Sequence, residues 1–409
     1  MDSKEISNRG SKSSALPARV VPMTNTAITP FRIDIPQAEL DELRDRLRHA
    51  RLPHPVPGTE NDWGRGIAPA YLAELARYWR DDFDWRAQEA RLNAHDQFTT
   101  EIDGQTIHFI HVRSAEPDAA PLLITHGYPG SVVEFLDVIG PLTDPVAHGG
   151  AATDAFHVVI PSLPGFGFST PLASTGWELS RTTEAFAELM TRLGYEKFAA
   201  QGGDVGAGVT GRLAALYPER VIATHVNSDR GSLGLVGEQL PMPDGLTAEE
   251  LAAIEEAQER WAQQKGYLVL QSTQPNAIAA ALTDSPIAQL AWIAEKFQVW
   301  SDPARSTGEA VDRDLLLANI SIYWFTRSGA SAAQFLWETA HSGMDWVMPS
   351  GVPQGWAVFN TSPLMSRVMN PGGHIEHFTE YTEGGHFAAL SEPVLFVADV
   401  RTFFRDHRG

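Results

Sequence analysis

The sequence predicts an α/β fold in which helices flank a mostly parallel sheet, and three features support this prediction. From Gln105 onward, short apolar runs alternate with helical patterns, as in successive βαβ units. One of these runs, residues 198–201, leads through a glycine-rich turn into a helical stretch of small residues. Between about residues 233 and 345, several helical patterns interrupt the alternation before the strands resume. We therefore expect one α/β core with a helical insertion.

The composition is typical of a water-soluble globular protein. The 409 residues are 43% hydrophobic and 20% charged, enough to build a sizeable core. With 31 basic and 51 acidic residues, the formal net charge of −20 argues against nucleic acid or an anionic membrane as the main partner. The lack of cysteine excludes disulfides, thiolate metal sites and a cysteine nucleophile. The start is polar and no apolar run reaches about 18 residues, so we expect a cytoplasmic enzyme without a secretory signal or membrane span.

The pattern along the chain divides it into five segments. In order, these are a disordered leader (residues 1–28), an N-terminal meander that packs on the core (29–104), the first part of the α/β core (105–232), a helical lid (233–345) and the second part of the core (346–409). Strands are predicted at residues 31–35, 107–112, 121–125, 156–161, 198–201, 221–226, 355–359 and 375–381. Helices are predicted from Pro36, around 71–79 and 84–95, in the lid at 248–264, 276–282, 287–300, 312–325 and 330–340, and at 393–404.

The turn over residues 201–208, Gln-Gly-Gly-Asp-Val-Gly-Ala-Gly, carries the most informative side chain, that of Asp204. A strand that enters Gly-x-nucleophile-x-Gly and continues as a helix is the nucleophile elbow of an α/β-hydrolase. Gly202 and Gly206 suit the close passage of strand and helix. A carboxylate does not usefully cleave esters, because its acyl product would be an anhydride, but it can open an sp³ electrophile through an alkyl ester. The elbow therefore indicates epoxide or alkyl-halide opening, although Gly/Asp turns are common and this one alone would be weak evidence.

Two further positions fit the same fold. Residues 126–130, after the second core strand, read His-Gly-Tyr-Pro-Gly, a turn where a hydrolase presents a backbone N–H to an oxyanion. We assign this donor to Tyr128 and the second donor to Val205, the residue after the nucleophile. The catalytic histidine has to follow the last strand, and of the 14 histidines we choose His386, in Gly-Gly-His-Phe.

Together, Gly-Gly-Asp-x-Gly, His-Gly-Tyr-Pro-Gly, Gly-Gly-His-Phe and the long meander resemble the microsomal-type epoxide hydrolases, including bacterial soluble members, over roughly residues 29–406. Lid stretches that match are Gly266-Tyr267, Asp284-Ser285-Pro286, Glu295-Lys296-Phe297 through Trp300, and Tyr323-Trp324. The resemblance implies two lid tyrosines that hydrogen-bond the epoxide oxygen and act as the general acid, and Tyr267 falls on the first position. Haloalkane dehalogenases also carry an elbow aspartate, but they lack the meander and are the weaker match.

The second lid tyrosine of the family is missing from this sequence. Its position falls on Leu336, which cannot donate a hydrogen bond. The neighbouring Trp337 can donate through its indole N–H, but it is offset by one position and is a poor acid. We expect both side chains to line the substrate pocket.

The family's acid that orients the histidine is also missing, since its position falls on Ser362. Asp229, 25 residues past Asp204, is one substitute, because some relatives with an elbow aspartate carry the acid after the following strand. A plain loop aspartate paired with Arg230 is the slightly favoured interpretation of this residue. Asn360 is the other candidate, as a neutral acceptor.

These observations predict an epoxide hydrolase that forms an ester on Asp204 and releases a vicinal diol with water activated by His386. The missing groups leave open a cyclase or isomerase that opens a natural-product epoxide without water, and a weakly active or purely binding homologue. Lid tryptophans are compatible with an apolar or bulky epoxide. We expect no cofactor and no metal, since His374 and His377 lack a third ligand. The oligomeric state stays open, with a homodimer among the alternatives.

Overall fold

The computed structural model describes residues 26–343 and 350–408. The predicted leader therefore lies outside the described residues, apart from residues 26–28. The strands are β1 (Thr29–Phe31), β2 (Gln97–Ile102), β3 (Gln105–Val112), β4 (Ala120–Thr125), β5 (Phe156–Pro161), β6 (Phe198–Gly202), β7 (Val221–Asp229), β8 (Gln354–Phe359) and β9 (His377–Glu380).

Within the described residues these nine strands form one sheet in the order β1-β2-β3-β5-β4-β6-β7-β8-β9. The pairs from β1 through β3 to β5 are antiparallel, and every pair from β5 to β9 is parallel. All six residues of β5 are buried. Strands covered on both faces read as continuous apolar runs, and this explains why the sequence pattern located the central strands.

Helices flank the sheet and also form the lid. The meander holds α1 (Gln37–Arg48), α2 (Pro69–Asp81) and α3 (Trp85–Leu92). The core holds α4 (Leu136–Thr143), α5 (Leu179–Arg192), α6 (Val205–Leu216), α13 (Met365–Met369), α14 (Ala388–Ser391) and α15 (Pro393–Arg405). Between β7 and β8 lie α7 (Ala248–Gln264), α8 (Gly266–Thr273), α9 (Pro275–Asp284), α10 (Pro286–Val299), α11 (Arg313–Thr326) and α12 (Ser328–His341).

Several elements differ from the sequence predictions, and the strand predicted at residues 31–35 lies instead at Thr29–Phe31. The meander does not only pack on the core, because β1 and β2 extend the sheet as antiparallel strands. β2 was missed because Gln-Phe-Thr-Thr-Glu-Ile carries mostly polar residues on a strand next to the sheet edge. α8 was also missed, since only Lys265 separates it from α7 and the pattern does not reveal the break.

No single helix of the described chain is long and apolar enough to cross a membrane. The pair α9 and α10 satisfies the length and composition criteria only when taken together, and the two helices bend by 113° at their junction. α10 is instead buried along one face, where Leu290, Ile293 and Phe297 join the main hydrophobic core.

Buried ionic groups attach the C-terminal helix α15 to the sheet. Oδ1 of Asp399 lies 2.9 Å from Nε2 of His225 on β7 and 3.0 Å from Nε2 of His377 on β9, while Oδ2 accepts from the Tyr381 hydroxyl at 2.7 Å. Burial would raise the pKa of Asp399, but the hydrogen bonds and charges of these partners outweigh it and lower the pKa to about 2.

Replacement of Asp399 by Asn is expected to destabilise the fold by about 2 kcal/mol or more at pH 7. The folded pKa lies below the ordinary value of 3.8, so the carboxylate stabilises the fold above about pH 4, and this contribution is lost as the pH falls toward 2. Urea unfolding of Asp399→Asn and wild type from pH 7 to pH 3 measures the difference, which should shrink with acid. Asp118→Asn, at an exposed position, is the control. A difference that does not change with pH would contradict this role for the charge.

Candidate active site

Asp204 lies at the sharp turn between β6 and α6. Its backbone has φ +53° and ψ −124°, an uncommon conformation for a residue with a side chain. A Cβ on Gly202 would lie 2.3 Å from the carbonyl oxygen of Gly206, and one on Gly206 would lie 2.0 Å from the carbonyl oxygen of Thr125. Only glycine permits this close passage, and the backbone has the strand–turn–helix geometry predicted for a nucleophile elbow.

The loop after β4 holds the Asp204 carboxylate. The backbone N–H of Tyr128 donates to Oδ1 of Asp204 at 2.8 Å. Gly127 permits this approach, because a Cβ there would lie 2.4 Å from the Cβ of Asp204. Val205 is the first residue of α6, so its N–H has no partner within the helix. One predicted oxyanion donor thus contacts the carboxylate directly, and the other is a helix-terminal N–H on the adjoining residue.

His386 lies between two carboxylates. Its Nε2 is 3.7 Å from Oδ2 of Asp204, beyond hydrogen-bond distance, and its Nδ1 is 3.1 Å from Oδ2 of Asp229. Asp229 ends β7, and its other oxygen accepts from the N–H of Gly231 at 2.6 Å. The bond to Asp229 fixes the orientation of the imidazole and directs Nε2 toward Asp204.

This geometry shows that the interpretation of Asp229 as a loop aspartate paired with Arg230 is wrong. β7 runs on to Asp229, three residues past the predicted strand end, and carries the carboxylate to His386. Asn360 does not orient the histidine, because Nδ1 of His386 is occupied by Asp229. Asn360 itself adopts φ +45° in the turn after β8, a conformation that asparagine tolerates better than most residues.

The charges around His386 raise its pKa to about 9. Burial alone would lower this pKa, but the hydrogen bond to Asp229 and the negative charges of Asp204 and Asp229 outweigh burial. The imidazolium is therefore the form expected in the free protein at neutral pH.

Glu134 is a site residue that the sequence analysis missed. It lies in the 3-10 helix Val132–Phe135, just after the His-Gly-Tyr-Pro-Gly turn, and is buried. Its Oε1 has no hydrogen-bond partner among the described residues, and a Cβ on Gly130 would lie 1.5 Å from that atom. Burial raises the pKa of Glu134 to about 8. A single acid within an otherwise apolar run was the feature that could have identified it.

A small cavity lies between the acidic side chains and His386. Its walls include Glu134, Asp204 and His386, together with Tyr128 and Asn227. The volume of about 10 Å³ is near the minimum that holds one water molecule. A water molecule there would find several polar partners, which a buried water requires.

Tyr267, in the first turn of α8, is held by aromatic rings. Its ring is parallel to that of Tyr128 with centroids 5.8 Å apart, and it contacts the ring of Trp300 at 5.3 Å. Nζ of Lys296 lies 4.7 Å from its centroid. Burial, together with the charge of Asp204, holds the pKa of Tyr267 well above its ordinary range, so the side chain is a neutral phenol. The structure thus brings the predicted acid next to the loop that binds the nucleophile.

Leu336 and Trp337 do not line the cavity beside Asp204, contrary to the prediction for the pocket. Leu336 is buried in the main hydrophobic core. Trp337 stacks on His341, one turn later in α12, with centroids 4.2 Å apart. Neighbouring helix residues point about 100° apart, so the two side chains follow separate directions.

Among residues 26–343 and 350–408, no cluster of three or more histidines and carboxylates is suited to hold a metal ion. His377, within the strand predicted at residues 375–381, lies on β9 at the end of the sheet. Its Nε2 contacts Asp399, as described above.

Comparison with known proteins identifies the family. A family model described as the epoxide hydrolase N terminus matches residues 28–135, and a model of the alpha/beta hydrolase fold matches residues 120–240. A protein of Stigmatella aurantiaca, provisionally named an epoxide hydrolase, is 44% identical over 395 residues, which cover 93% of this chain and 86% of that protein. Epoxide hydrolase 1 of Sus scrofa is 33% identical over 92% of this chain and 88% of its own.

Solved structures match over nearly the whole chain as well. The epoxide hydrolase of Aspergillus niger is 30% identical with a TM-score of 0.77, covering 94% of this chain and 98% of that one. The juvenile hormone epoxide hydrolase of the silkworm Bombyx mori is 27% identical with a TM-score of 0.75, covering 94% and 95%. These matches span the meander, the core and the lid together. The chain therefore belongs to the epoxide hydrolase family and has the α/β-hydrolase fold.

Proposed function

We propose that the protein hydrolyses an epoxide to a vicinal diol through an ester on Asp204. The observation that carries this proposal is the placement of the two Asp204 oxygens. The Tyr128 N–H binds Oδ1, while Oδ2 lies 3.7 Å from His386 with no hydrogen bond to it. One oxygen is thus held by a donor, and the other is available to attack carbon.

In the first step, Oδ2 of Asp204 attacks a ring carbon and the carbon–oxygen bond of the epoxide breaks. The neutral phenol of Tyr267 donates its proton to the oxygen that leaves that carbon. The product is a hydroxyalkyl ester on Asp204 and a phenolate on Tyr267. A neutral acid is needed here, because an alkoxide is a poor leaving group without a proton.

In the second step, water attacks Cγ of the Asp204 ester. The N–H groups of Tyr128 and Val205 stabilise the negative charge that forms on Oδ1. Collapse of this intermediate breaks the bond between Cγ and Oδ2, and Oδ2 leaves in the diol with the second proton of the attacking water, so Asp204 is again a carboxylate. The proton that His386 takes from water returns to the Tyr267 phenolate, and His386 regains from solvent the proton that it loses when the ester forms.

The electrostatics of His386 favour this order of steps. In the free protein the negative charge of Asp204 is one of the groups that raise the pKa of His386. An ester on Asp204 is uncharged, so its formation lowers the pKa of His386 and favours the neutral base. The cavity bounded by Glu134, Asp204 and His386 offers a place for the attacking water.

The alternatives of a non-hydrolytic cyclase or isomerase and of a weakly active homologue rested partly on a missing acid. Asp229 occupies that role in geometry, with its carboxylate on Nδ1 of His386. Hydrolysis is therefore the better supported reaction. The aromatic rings of Tyr128, Tyr267 and Trp300 beside the nucleophile favour an apolar epoxide as the substrate, and we propose a cytoplasmic protein in which a homodimer is compatible with this reaction.

Incubation of the protein with a panel of small and bulky apolar epoxides tests the proposal. We expect formation of the matching diol, measured by chromatography with mass detection, for at least one class. Asp204→Ala is expected to abolish it, because alanine offers neither a nucleophile nor an amide that water could convert back to aspartate. A product isomeric with the epoxide, formed without added water, would contradict hydrolysis, as would diol formation by Asp204→Ala.

A further inference from the structure

The phenol oxygen of Tyr128 accepts a hydrogen bond from a lid side chain, since Nε1 of Trp292, in α10, donates to it at 2.5 Å. Gln271, in α8, lies beside this hydroxyl and donates from Nε2 to the backbone oxygen of Tyr267 at 3.3 Å. Among residues 26–343 and 350–408, no atom accepts the proton of the Tyr128 hydroxyl in a hydrogen bond. The oxygen therefore acts as an acceptor toward the lid, and its proton is available to a ligand.

Tyr128 borders the space beside the nucleophile. It forms part of the wall of the cavity that Asp204 and His386 share. It also lies parallel to the ring of Tyr267, at an interplanar angle of 1° and a centroid distance of 5.8 Å. Two phenols from different elements, one from the loop after β4 and one from the lid, are thus neighbours at the nucleophile.

We propose that the Tyr128 side chain donates a hydrogen bond to the epoxide oxygen beside Tyr267, and thereby provides the second phenol that the lid lacks at Leu336. This inference rests on the proposed epoxide opening. Tyr267 transfers its proton to the leaving oxygen, and Tyr128 keeps its own proton while its hydrogen bond stabilises the charge that develops there. No further reactant is needed, since the bonds formed and broken are those of the first step above.

The surroundings of Tyr128 suit a donor that remains protonated. Burial raises its pKa above the ordinary value, and the hydrogen bond from Trp292 and the nearby amide of Gln271 oppose this increase in part. Donors on a phenol oxygen withdraw charge from it and make its O–H a stronger hydrogen-bond donor. The lid therefore polarises the Tyr128 hydroxyl when Trp292 and Gln271 are in place.

Tyr128 would contact both the nucleophile and the leaving oxygen. Its backbone N–H holds Oδ1 of Asp204 at 2.8 Å, and its side chain would hold the leaving oxygen. A purely structural role for the phenol, as a packing group that accepts from Trp292, would require no contact with the substrate. The two roles differ in which chemical step responds to loss of the hydroxyl.

Single-turnover kinetics of Tyr128→Phe separate these roles. The change removes the hydroxyl and keeps the backbone N–H, so we expect ester formation to slow by about 10- to 100-fold while ester hydrolysis stays within about 2-fold of wild type. The loss should be larger for epoxides whose leaving oxygen is more basic. Equal rates of ester formation in Tyr128→Phe and wild type would overturn the inference, as would an equal slowing of both steps.

Two further variants control the experiment. Tyr323→Phe removes a buried hydroxyl that already donates to the Gly130 carbonyl at 2.9 Å, so it is not expected to slow ester formation selectively. Tyr128→Trp restores an N–H donor and should recover part of the rate, and it also serves if Tyr128→Phe does not fold. If Tyr128→Trp formed the ester as slowly as Tyr128→Phe, this result would count against the inference. If wild type itself forms no ester with any epoxide, the proposed function fails; if wild type forms the ester and Tyr128→Phe matches it, only this inference fails.

Discussion

His386→Gln is expected to stall as the ester on Asp204. The glutamine side chain cannot accept a proton from water, so ester hydrolysis should slow by about 10³-fold or more, while ring opening by Oδ2 continues. Intact-protein mass spectrometry after incubation with an epoxide should detect a mass gain equal to the whole epoxide. The mass gain equals the whole epoxide because ring opening adds the substrate to Asp204 without loss of any atom.

Two comparisons make this result specific. His49→Gln alters an exposed histidine and should turn over without accumulating the adduct. His386→Gln combined with Asp204→Ala should show no mass gain, because the ester has no acceptor oxygen. An adduct that survives in the double variant would place the alkylation on another residue. Wild-type turnover by His386→Gln would exclude the histidine as the base.

Asp229→Asn is expected to have the second largest effect, a loss of about 10³- to 10⁴-fold in ester hydrolysis. An amide can present its N–H₂ group to Nδ1, which would favour the imidazole tautomer with its proton on Nε2, the wrong nitrogen for a base. Ester formation should change much less, because Asp229 does not contact the attacking oxygen. Rapid mixing with excess enzyme, followed by quenching and mass analysis, measures the two steps separately.

The same substitution has an expected pH dependence. Asp229 is the leading contribution that raises the pKa of His386, and its loss lowers that pKa. Since the neutral ring is the base, the acidic limb of ester hydrolysis should move to lower pH while the maximum rate falls. Asn360→Gly is the control, because glycine adopts φ +45° without strain and Asn360 does not contact Nδ1 of His386. An Asn360→Gly protein as slow as Asp229→Asn, or a limb that moves to higher pH, would contradict the assignment of Asp229.

The sequence predicted the parts of the site that depend on local patterns. Asp204 stands in a glycine-spaced turn after a buried strand, and this turn has a steric requirement that the residues themselves reveal. His386 followed from its place after the last strand. In each case the signal lay within a few neighbouring residues and the known order of the core strands.

The parts that the sequence misjudged depend on where strands end and which side chains meet across the fold. Asp229 became the partner of His386 because β7 continues to that residue, and strand ends are poorly defined by an apolar pattern. Glu134 meets the two catalytic groups only after β4, β6 and the segment before α14 are assembled, so spacing along the chain gives no measure of it. Tyr128 was assigned a role for its backbone alone, since the contact of its side chain with Trp292 joins residues 164 positions apart.

Isotope labelling of a single turnover in H₂¹⁸O tests most directly whether Asp204 is the nucleophile. With enzyme in excess, the diol of the first turnover should carry unlabelled oxygen from Oδ2, and ¹⁸O should appear in the peptide that contains Asp204. Repeated turnovers should then transfer ¹⁸O into the diol. A first-turnover diol that contains ¹⁸O, with no label in that peptide, would mean that water attacks the epoxide directly and that no ester forms on Asp204.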